Sequence, residues 1–251
     1  MIEENSYALI VYKDKRYFKK MEPGKSFHGT GGAINFSDLI GTEYGVRYGH
    51  YEIFEPTMED IIMYGVRRET QIVYPKEAYH ICFKLNLKNG SRICEVGAGS
   101  GALTCLFSRM VGPAGKVVSF EKEERHFKNS RKNIERFAEW ENVDLRLGDI
   151  MDFDEVTFDA AFDAAFIDLR EPWLIIEKMR GFMRGSAYLG IIVPTTNQII
   201  ETLHALNEGF GDIEVLEIML RKYKTIPERV RPEDRMVAHT GFLIFARKIS
   251  S

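Results

Sequence analysis

The chain has 251 residues, 45% of them hydrophobic and 28% charged, and a formal net charge of −3, the balance of a globular protein with one large α/β domain and an appendage, or with two domains. No run approaches the roughly 18 consecutive apolar residues that a membrane span needs. The start Met1-Ile-Glu-Glu-Asn lacks the basic stretch and apolar core of a signal peptide, so a cytoplasmic protein without a membrane partner is expected.

Residues 1 to 66 read as a small N-terminal β-rich domain, because Tyr7-Ala-Leu-Ile-Val-Tyr alternates and glycines recur between short runs. Residues 67 to 251 read as a second, α/β domain. From Tyr74 the pattern turns helical, with Pro75 early in the helix and Tyr79, Cys82, Phe83 and Leu85 to Leu87 forming the face expected to pack beside a sheet. Asn89-Gly90 ends it. A short apolar run, Ile93 to Val96, then leads into Gly97-Ala-Gly-Ser-Gly101, followed by a helical face of Leu103, Leu106, Phe107 and Met110. Strand, glycine turn and helix in this order place backbone N–H groups at the positive end of a helix dipole, where a cofactor is expected.

The strand Lys116 to Phe120 ends in Glu121, and a charged helix, Glu123 to Glu139, follows with Phe127, Ile134 and Phe137 on its inner side. A third strand, Val143 to Leu147, closes with Gly148-Asp149-Ile150. The fourth, Ala160 to Ile167, is nearly all apolar and therefore central, and it runs into Asp168-Leu-Arg-Glu-Pro-Trp173. Helix Trp173 to Phe182, strand Tyr188 to Val193, helix Asn197 to Glu208 and strands Ile213 to Leu220 and Gly241 to Ala246 complete a doubly wound, mostly parallel seven-stranded sheet ending in a β-hairpin. Cys82, Cys94 and Cys105 fall in apolar patterns without metal-ligand spacing, so buried reduced thiols and no metal are expected.

The glycine turn is Gly-x-Gly-x-Gly, with Ala102 where a dinucleotide fingerprint has its third glycine. Glu95, two residues ahead, suits a ligand with an ammonium and a sulfonium, such as S-adenosylmethionine. A nicotinamide or flavin cofactor, or a plain tight turn, stays open on this loop alone, since Glu121 would serve the ribose of either cofactor. Ligands of open α/β sheets sit at the carboxyl ends of the strands, so Asp149 should meet the far end of whatever Glu121 holds, and Asp168 should stand at the chemistry.

Four runs, Arg67-Arg-Glu-Thr-Gln-Ile-Val-Tyr-Pro-Lys-Glu-Ala, Glu95-Val-Gly-Ala-Gly-Ser-Gly-Ala-Leu-Thr, Ile167-Asp-Leu-Arg-Glu-Pro-Trp and His239-Thr-Gly-Phe-Leu, resemble the tRNA (adenine-N1)-methyltransferase family in its archaeal and bacterial form. The resemblance covers nearly the whole chain. It implies a small N-terminal β-domain, a class I, Rossmann-like methyltransferase domain and a homotetramer. It also implies methyl transfer from S-adenosylmethionine to N1 of a T-loop adenosine in tRNA, conventionally position 58 and in some archaeal members also 57. Carried over residue by residue, Gln71, Gly97, Gly99, Ser100, Gly101, Ala102, Leu103, Glu121, Asp149 and Ile150 bind the cofactor, and Asp168 lies between cofactor and base. His126 falls where some relatives have a basic cofactor contact. Val193-Pro-Thr-Thr-Asn-Gln matches the family's Pro-Asn-x-x-Gln only loosely, which leaves Asn197 and Gln198 without a role, and no intersubunit disulfide is expected.

Each assignment has a plainer counterpart. Asp168 would stabilise positive charge on the methylated base by accepting from its exocyclic amine, or would cap the helix that starts near Trp173. Tyr74 and Trp173 would stack on a flipped base or fill the core. Glu95 would face the cofactor's methionine end or support the loop. His239 is expected to be a structural donor. Arg67, Arg68 and the cations from Arg221 to Arg235, Arg231 among them, are candidate phosphate contacts, as a chain of slight negative charge must gather its cations locally to hold RNA; Lys13 to Lys25 is a further basic stretch. Rival readings are a methyltransferase of the same fold acting on a small molecule or protein, and a non-catalytic tRNA-binding subunit. The second would have lost the glycines and the aspartate that this chain keeps.

Overall fold

In the computed structural model, which describes residues 1–154, 161–206 and 209–250, the chain divides into two compact units, Met1–Val66 and Arg67–Ser251. In the first, strands β1 (Tyr7–Tyr12) and β2 (Lys15–Lys20) form a hairpin, with Lys13 taking the positive φ of 54° that its tight turn requires. Strands β3 (Ser26–Gly29) and β4 (Gly32–Asn35) pair with each other, while β5 (Val46–Tyr48) and β6 (Tyr51–Phe54) complete an antiparallel sheet of order β2-β1-β6-β5. Ala8, Ile10, Met21, Ile34, Tyr51 and Ile53 are the centre of this unit's own core. A one-turn helix, α1 (Met58–Asp60), opens on a capping box between Thr57 and Asp60.

The second unit begins its regular structure with α2 (Pro75–Lys84), β7 (Arg92–Val96), α3 (Ala102–Val111), β8 (Lys116–Glu121), α4 (Glu124–Phe137) and β9 (Val143–Leu147). It continues with β10 (Phe162–Ile167), α5 (Ile176–Phe182), β11 (Met183–Val193), α6 (Thr196–Ala205) and β12 (Phe210–Leu216). A two-stranded ribbon, β13 (Tyr223–Lys224) with β14 (Arg231–Pro232), precedes the last strand, β15 (Phe242–Lys248). The sheet order is β12-β15-β11-β10-β7-β8-β9; β15 runs antiparallel to both neighbours and the other pairs are parallel. This is the class I methyltransferase sheet, with β7 and β10 at its centre. Alternate side chains of the central strands, among them Cys94, Val96, Ala165 and Ile167, join α5 residues Ile176, Met179 and Phe182 in one apolar core.

Several expectations shift. The start of the strand expected from Ala160 and the end of the helix expected to Glu208 lie outside the described residues. The strand placed at Ile213 to Leu220 is β12, which ends at Leu216 because its pairing with β15 stops at Leu216 opposite Leu243; Met219 and Leu220 are exposed. Residues 217–241 separate the two strands, so they are not a tight hairpin. On α2 the buried stripe is Ala78, Ile81, Cys82 and Leu85, at the helical spacing of three and four, which leaves Tyr79 at 43% and Phe83 at 78% exposure off the expected face. The inner face of α4 is largely polar: Asn129, Ser130 and Asn133 are buried beside Phe137, and Phe127 and Ile134 only partly. The three cysteines are buried free thiols, and burial pushes those of Cys82 and Cys105 up to about 12. No helix among the described residues is long and apolar enough to cross a membrane, and no cluster of metal-ligating side chains occurs among them.

Candidate active site

The parallel strands deliver their carboxyl ends to one edge of the sheet, and the glycine turn after β7 closes that edge. Gly97 has φ of 98°, and a Cβ there would overlap the backbone carbonyl oxygen of Asp168, so only glycine lets the loop pass the end of β10. The Gly97 and Ala98 N–H groups both donate to Phe120 O, at 2.9 and 3.0 Å, and the Asp168 N–H donates to Val96 O at 2.9 Å. The ends of β7, β8 and β10 are thereby tied together. Gly101, with φ of 75°, opens α3, whose first-turn N–H groups lack intrahelical acceptors.

A second clamp comes from α4. Asn133 Nδ2 donates to Ser100 O and to Arg67 O, both at 2.9 Å, while its Oδ1 accepts from the Arg67 N–H at 3.1 Å; Asn129 Nδ2 adds a bond to Arg67 O at 2.9 Å. The glycine loop and the segment leading to Gln71 are fixed to each other by these two buried amides. The sequence reading missed them, and their only local signal is an Asn at i and i+4 on the inward side of a charged helix.

A cavity of about 580 Å³ opens at this edge, and Gln71, Gly97, Gly99, Glu121, His126, Asp149, Ile150 and Asp168 all line it. A recess of about 20 Å³ behind the loop gathers Glu95, Ser100, Ala102 and Leu103, with Gln71, Gly97 and Asp168 shared. Gly101 borders neither space; nor do Tyr74, Trp173, Arg67, Arg68 and Arg231. Thr70, Lys122, Arg170, Pro194 and Thr240 do line the cavity and had no assigned role in the sequence.

The acids differ in what holds them. Glu121 Oε2 accepts from the Gly99 N–H at 2.8 Å and its Oε1 from the Glu123 N–H at 3.0 Å, with His126 Nδ1 3.9 Å from Oε1. Asp149 accepts from the Met151 N–H and from Lys122 Nζ, both at 3.0 Å, and these bonds, the backbone one foremost, keep its carboxyl below the usual range. Glu95 lies inside the protein, its Oε2 accepting from Ser119 Oγ at 2.5 Å and Thr104 Oγ1 at 2.6 Å. Burial raises it to about 7 despite the two hydroxyls. Its contacts are those of a strut between β7, β8 and α3.

Asp168 stands apart. Its carboxylate accepts no hydrogen bond among the described residues. The side chain is open to the cavity, yet the protein mass around it disfavours the charged form and the Glu121 carboxylate repels it, which together push it up to about 6. It caps no helix: Glu171 begins the 3₁₀ turn Pro172–Ile175 and Ile175 precedes α5. Gln198 Nε2 donates to Arg170 O at 2.8 Å, so the residue left without a role steadies the loop after Asp168.

The wall that carries Pro194 and Thr240 is braced from outside. His239 sits between Glu217 Oε1, at 2.7 Å from Nδ1, and Pro194 O, at 2.9 Å from Nε2, two acceptors that raise its pKa, Glu217 first. It is a structural donor in this setting. Lys76 and Glu77 form a buried pair at 2.6 Å, Lys76 also donating to Ile218 O and Thr240 Oγ1 to Glu77. Of the candidate phosphate contacts, Arg67 pairs with Glu69 at 3.1 Å and Arg231 with Asp234.

The family model of the tRNA methyltransferase complex GCD14 subunit matches residues 49–231. The chain belongs to this family. It is 29% identical to the tRNA (adenine(58)-N(1))-methyltransferase TrmI of Thermus thermophilus, over 95% of this chain and 96% of that one. The crystal structure of tRNA (m1A58) methyltransferase TrmI from Aquifex aeolicus superposes with a TM-score of 0.90 at 40% identity over 99% of both chains. A structure from Thermotoga maritima described as a SAM-dependent O-methyltransferase also gives 0.90, at 36% identity over 99% of this chain and 95% of that one.

Proposed function

We propose that this protein is a tRNA (adenine(58)-N1)-methyltransferase that uses S-adenosylmethionine. The observation that carries the reading is Asp168: a carboxylate with no donor of its own, facing a cofactor-sized cavity between the glycine loop and Arg170. The residues fit the cofactor on several counts. The volume lies within the roughly 300–1,000 Å³ usual for such ligands. The cradle at Gly97 tolerates no side chain on the backbone, and the Thr70 hydroxyl beside Gly99 is buried without a partner among the described residues. Glu121 retains unused lone pairs for the ribose hydroxyls, Asp149 and Ile150 would take the adenine, and Gln71 with the loop from Gly97 to Leu103 would take the methionine end, His126 adding a contact beside Glu121.

Bound there, S-adenosylmethionine supplies a methyl group made electrophilic by its sulfonium. The target adenine N1 carries a lone pair at neutral pH and needs no prior deprotonation, so alignment contributes most of the acceleration. Methylation at N1 would leave a positive charge on the base. Asp168, largely ionised above its pKa, accepts from the exocyclic amine and stabilises that charge. Tyr74 and Trp173 lie outside the cavity and would meet the flipped nucleotide only at its approach; Arg67, Arg68 and Arg231 would meet its phosphates. Phe83 on α2 and Val230 and Val237 near the β13–β14 ribbon are exposed apolar side chains available to the contacts of the homotetramer that the resemblance implies. A cytoplasmic location suits a tRNA substrate.

The description of the Thermotoga neighbour as an O-methyltransferase favours a second reading, methyl transfer to an oxygen acceptor. Labelled S-adenosylmethionine and an unmodified tRNA transcript, run beside a transcript lacking the adenosine at 58, separate the two. Labelled 1-methyladenosine from the first transcript alone is expected. Label in neither, with cofactor binding intact, would remove the tRNA reading.

A further inference from the structure

At the opposite edge of the seven-stranded sheet, where the parallel strands begin, lies a cavity of about 350 Å³ for which methyl transfer has no use. Three cations line it: Lys88 from the turn between α2 and β7, Arg184 early in β11 and Arg247 late in β15. A single carboxylate, Asp163, faces them, and it is engaged already, accepting from the Arg92 N–H at 2.9 Å and from Arg184 Nε at 2.7 Å. The Lys88 ammonium has no hydrogen-bond or ion-pair partner among the described residues. Arg247 donates to Ser186 Oγ at 2.9 Å and comes only within 3.8 Å of Asp212, which lies outside the cavity wall. Ser186 itself holds φ of 64°, a left-handed conformation that is unfavourable for a residue with a Cβ and that tends to persist where a site needs it. Tyr188 also lines it, its hydroxyl donating to Asp212 Oδ2 at 3.3 Å.

Three cations against Asp163 in the wall and Asp212 beside it leave an excess of positive charge at the cavity, in a chain whose overall charge is negative. Guanidinium groups from two strands and an ammonium from a turn, lining one cavity, suit an anion with several acceptor oxygens. We propose that this cavity is a phosphate-binding site, distinct from the methyl-transfer cavity and taking either a phosphodiester of the tRNA backbone or the phosphate of a free phosphorylated ligand. The tRNA source rests on the function proposed above; the free-ligand source does not.

Lys88→Glu is the informative variant, because Lys88 is exposed in a turn and braces nothing; Arg247→Gln is the second. Arg184 is left in place because it ties Asp163 to β11. In the first arm, tRNA affinity is measured across a salt series. Each variant is expected to bind tRNA about tenfold more weakly with a salt slope lower by about one. Cofactor affinity, melting temperature and turnover at saturating tRNA should be unchanged. In the second arm, inorganic pyrophosphate is titrated against wild type and variants by thermal shift. A saturable stabilisation lost in Lys88→Glu, with tRNA affinity intact, assigns the site to a free phosphorylated ligand. Variants that keep wild-type responses to both tRNA and pyrophosphate overturn the proposal. Failure of the wild type to methylate tRNA would strike the proposed function instead and leave the pyrophosphate arm standing.

Discussion

Asp163 and Asp168 stand at opposite ends of one central strand, β10, and their carboxyl groups shift in opposite directions. Burial raises the first, but the Arg92 N–H and the Arg184 guanidinium more than offset it and its pKa falls; the second has neither donor and is pushed up to about 6. The contrast separates a carboxylate that fastens the sheet from one that accepts no hydrogen bond among the described residues. At the amino ends of the strands an acid finds a backbone N–H and a neighbouring cation. At the carboxyl ends Val96 takes the Asp168 N–H and the side chain is left to the cavity.

The strongest way to break the contrast is to move the Asp168 peptide itself. Gly97→Ala would drive a Cβ into the Asp168 carbonyl oxygen at a φ disfavoured for alanine, and a displacement of that order is expected to lower methyl transfer by about a hundredfold or more. Turnover and cofactor calorimetry on the same preparation check it. Next comes the carboxylate. Asp168→Ala should lower methyl transfer by more than about tenfold while cofactor still binds. Under the proposed mechanism, in which the ionised form accepts from the base, wild-type turnover should drop as pH falls through about 6, and Asp168→Asn should show no such inflection. An unchanged pH profile in that variant would take Asp168 out of the mechanism.

Asn133→Ala tests the scaffold under both. It leaves the part-buried Arg67 N–H and the buried Ser100 carbonyl without their partner, while Arg67 O keeps Asn129, so a loss of about 1–3 kcal/mol in urea unfolding is expected, with a higher cofactor KM as the loop and Gln71 come apart. The smallest effect belongs to Asp163→Asn. A carboxyl with a depressed folded pKa stabilises above its unfolded value and loses that contribution as pH falls through the folded one. Partial exposure keeps the loss to about 1 kcal/mol or less at neutral pH. Urea midpoints of variant and wild type should converge as pH falls below the usual carboxylate range; a gap that does not narrow there would contradict the ion-pair assignment.

Much of the candidate site's lining was legible because its signals are local. A strand, a glycine run and a helix within fourteen residues specify a turn whatever surrounds it, and Glu121, Asp149 and Asp168 each end a strand that can be read alone. Tyr79 and Phe83 misled because both are apolar and the true stripe differs from theirs by one position, which only contact with the sheet settles. The arginine-rich stretches drew attention to cations that the fold pairs with acids, as with Arg231 and Asp234, whereas Lys88, Arg184 and Arg247 are unremarkable in sequence and meet only when three elements pack.

The sequence by itself determined the order of strands and helices, the glycine positions that must adopt positive φ, and the acids at the ends of strands, because periodicity and backbone sterics act over a few residues. Tertiary structure alone decided which of those acids stays unsatisfied, how Asn129 and Asn133 lock the loop to the Gln71 segment, and where charge accumulates at the far edge. Desolvation, buried hydrogen bonds and electrostatic potential depend on which groups lie nearby in space, and chain-distant neighbours are set by packing.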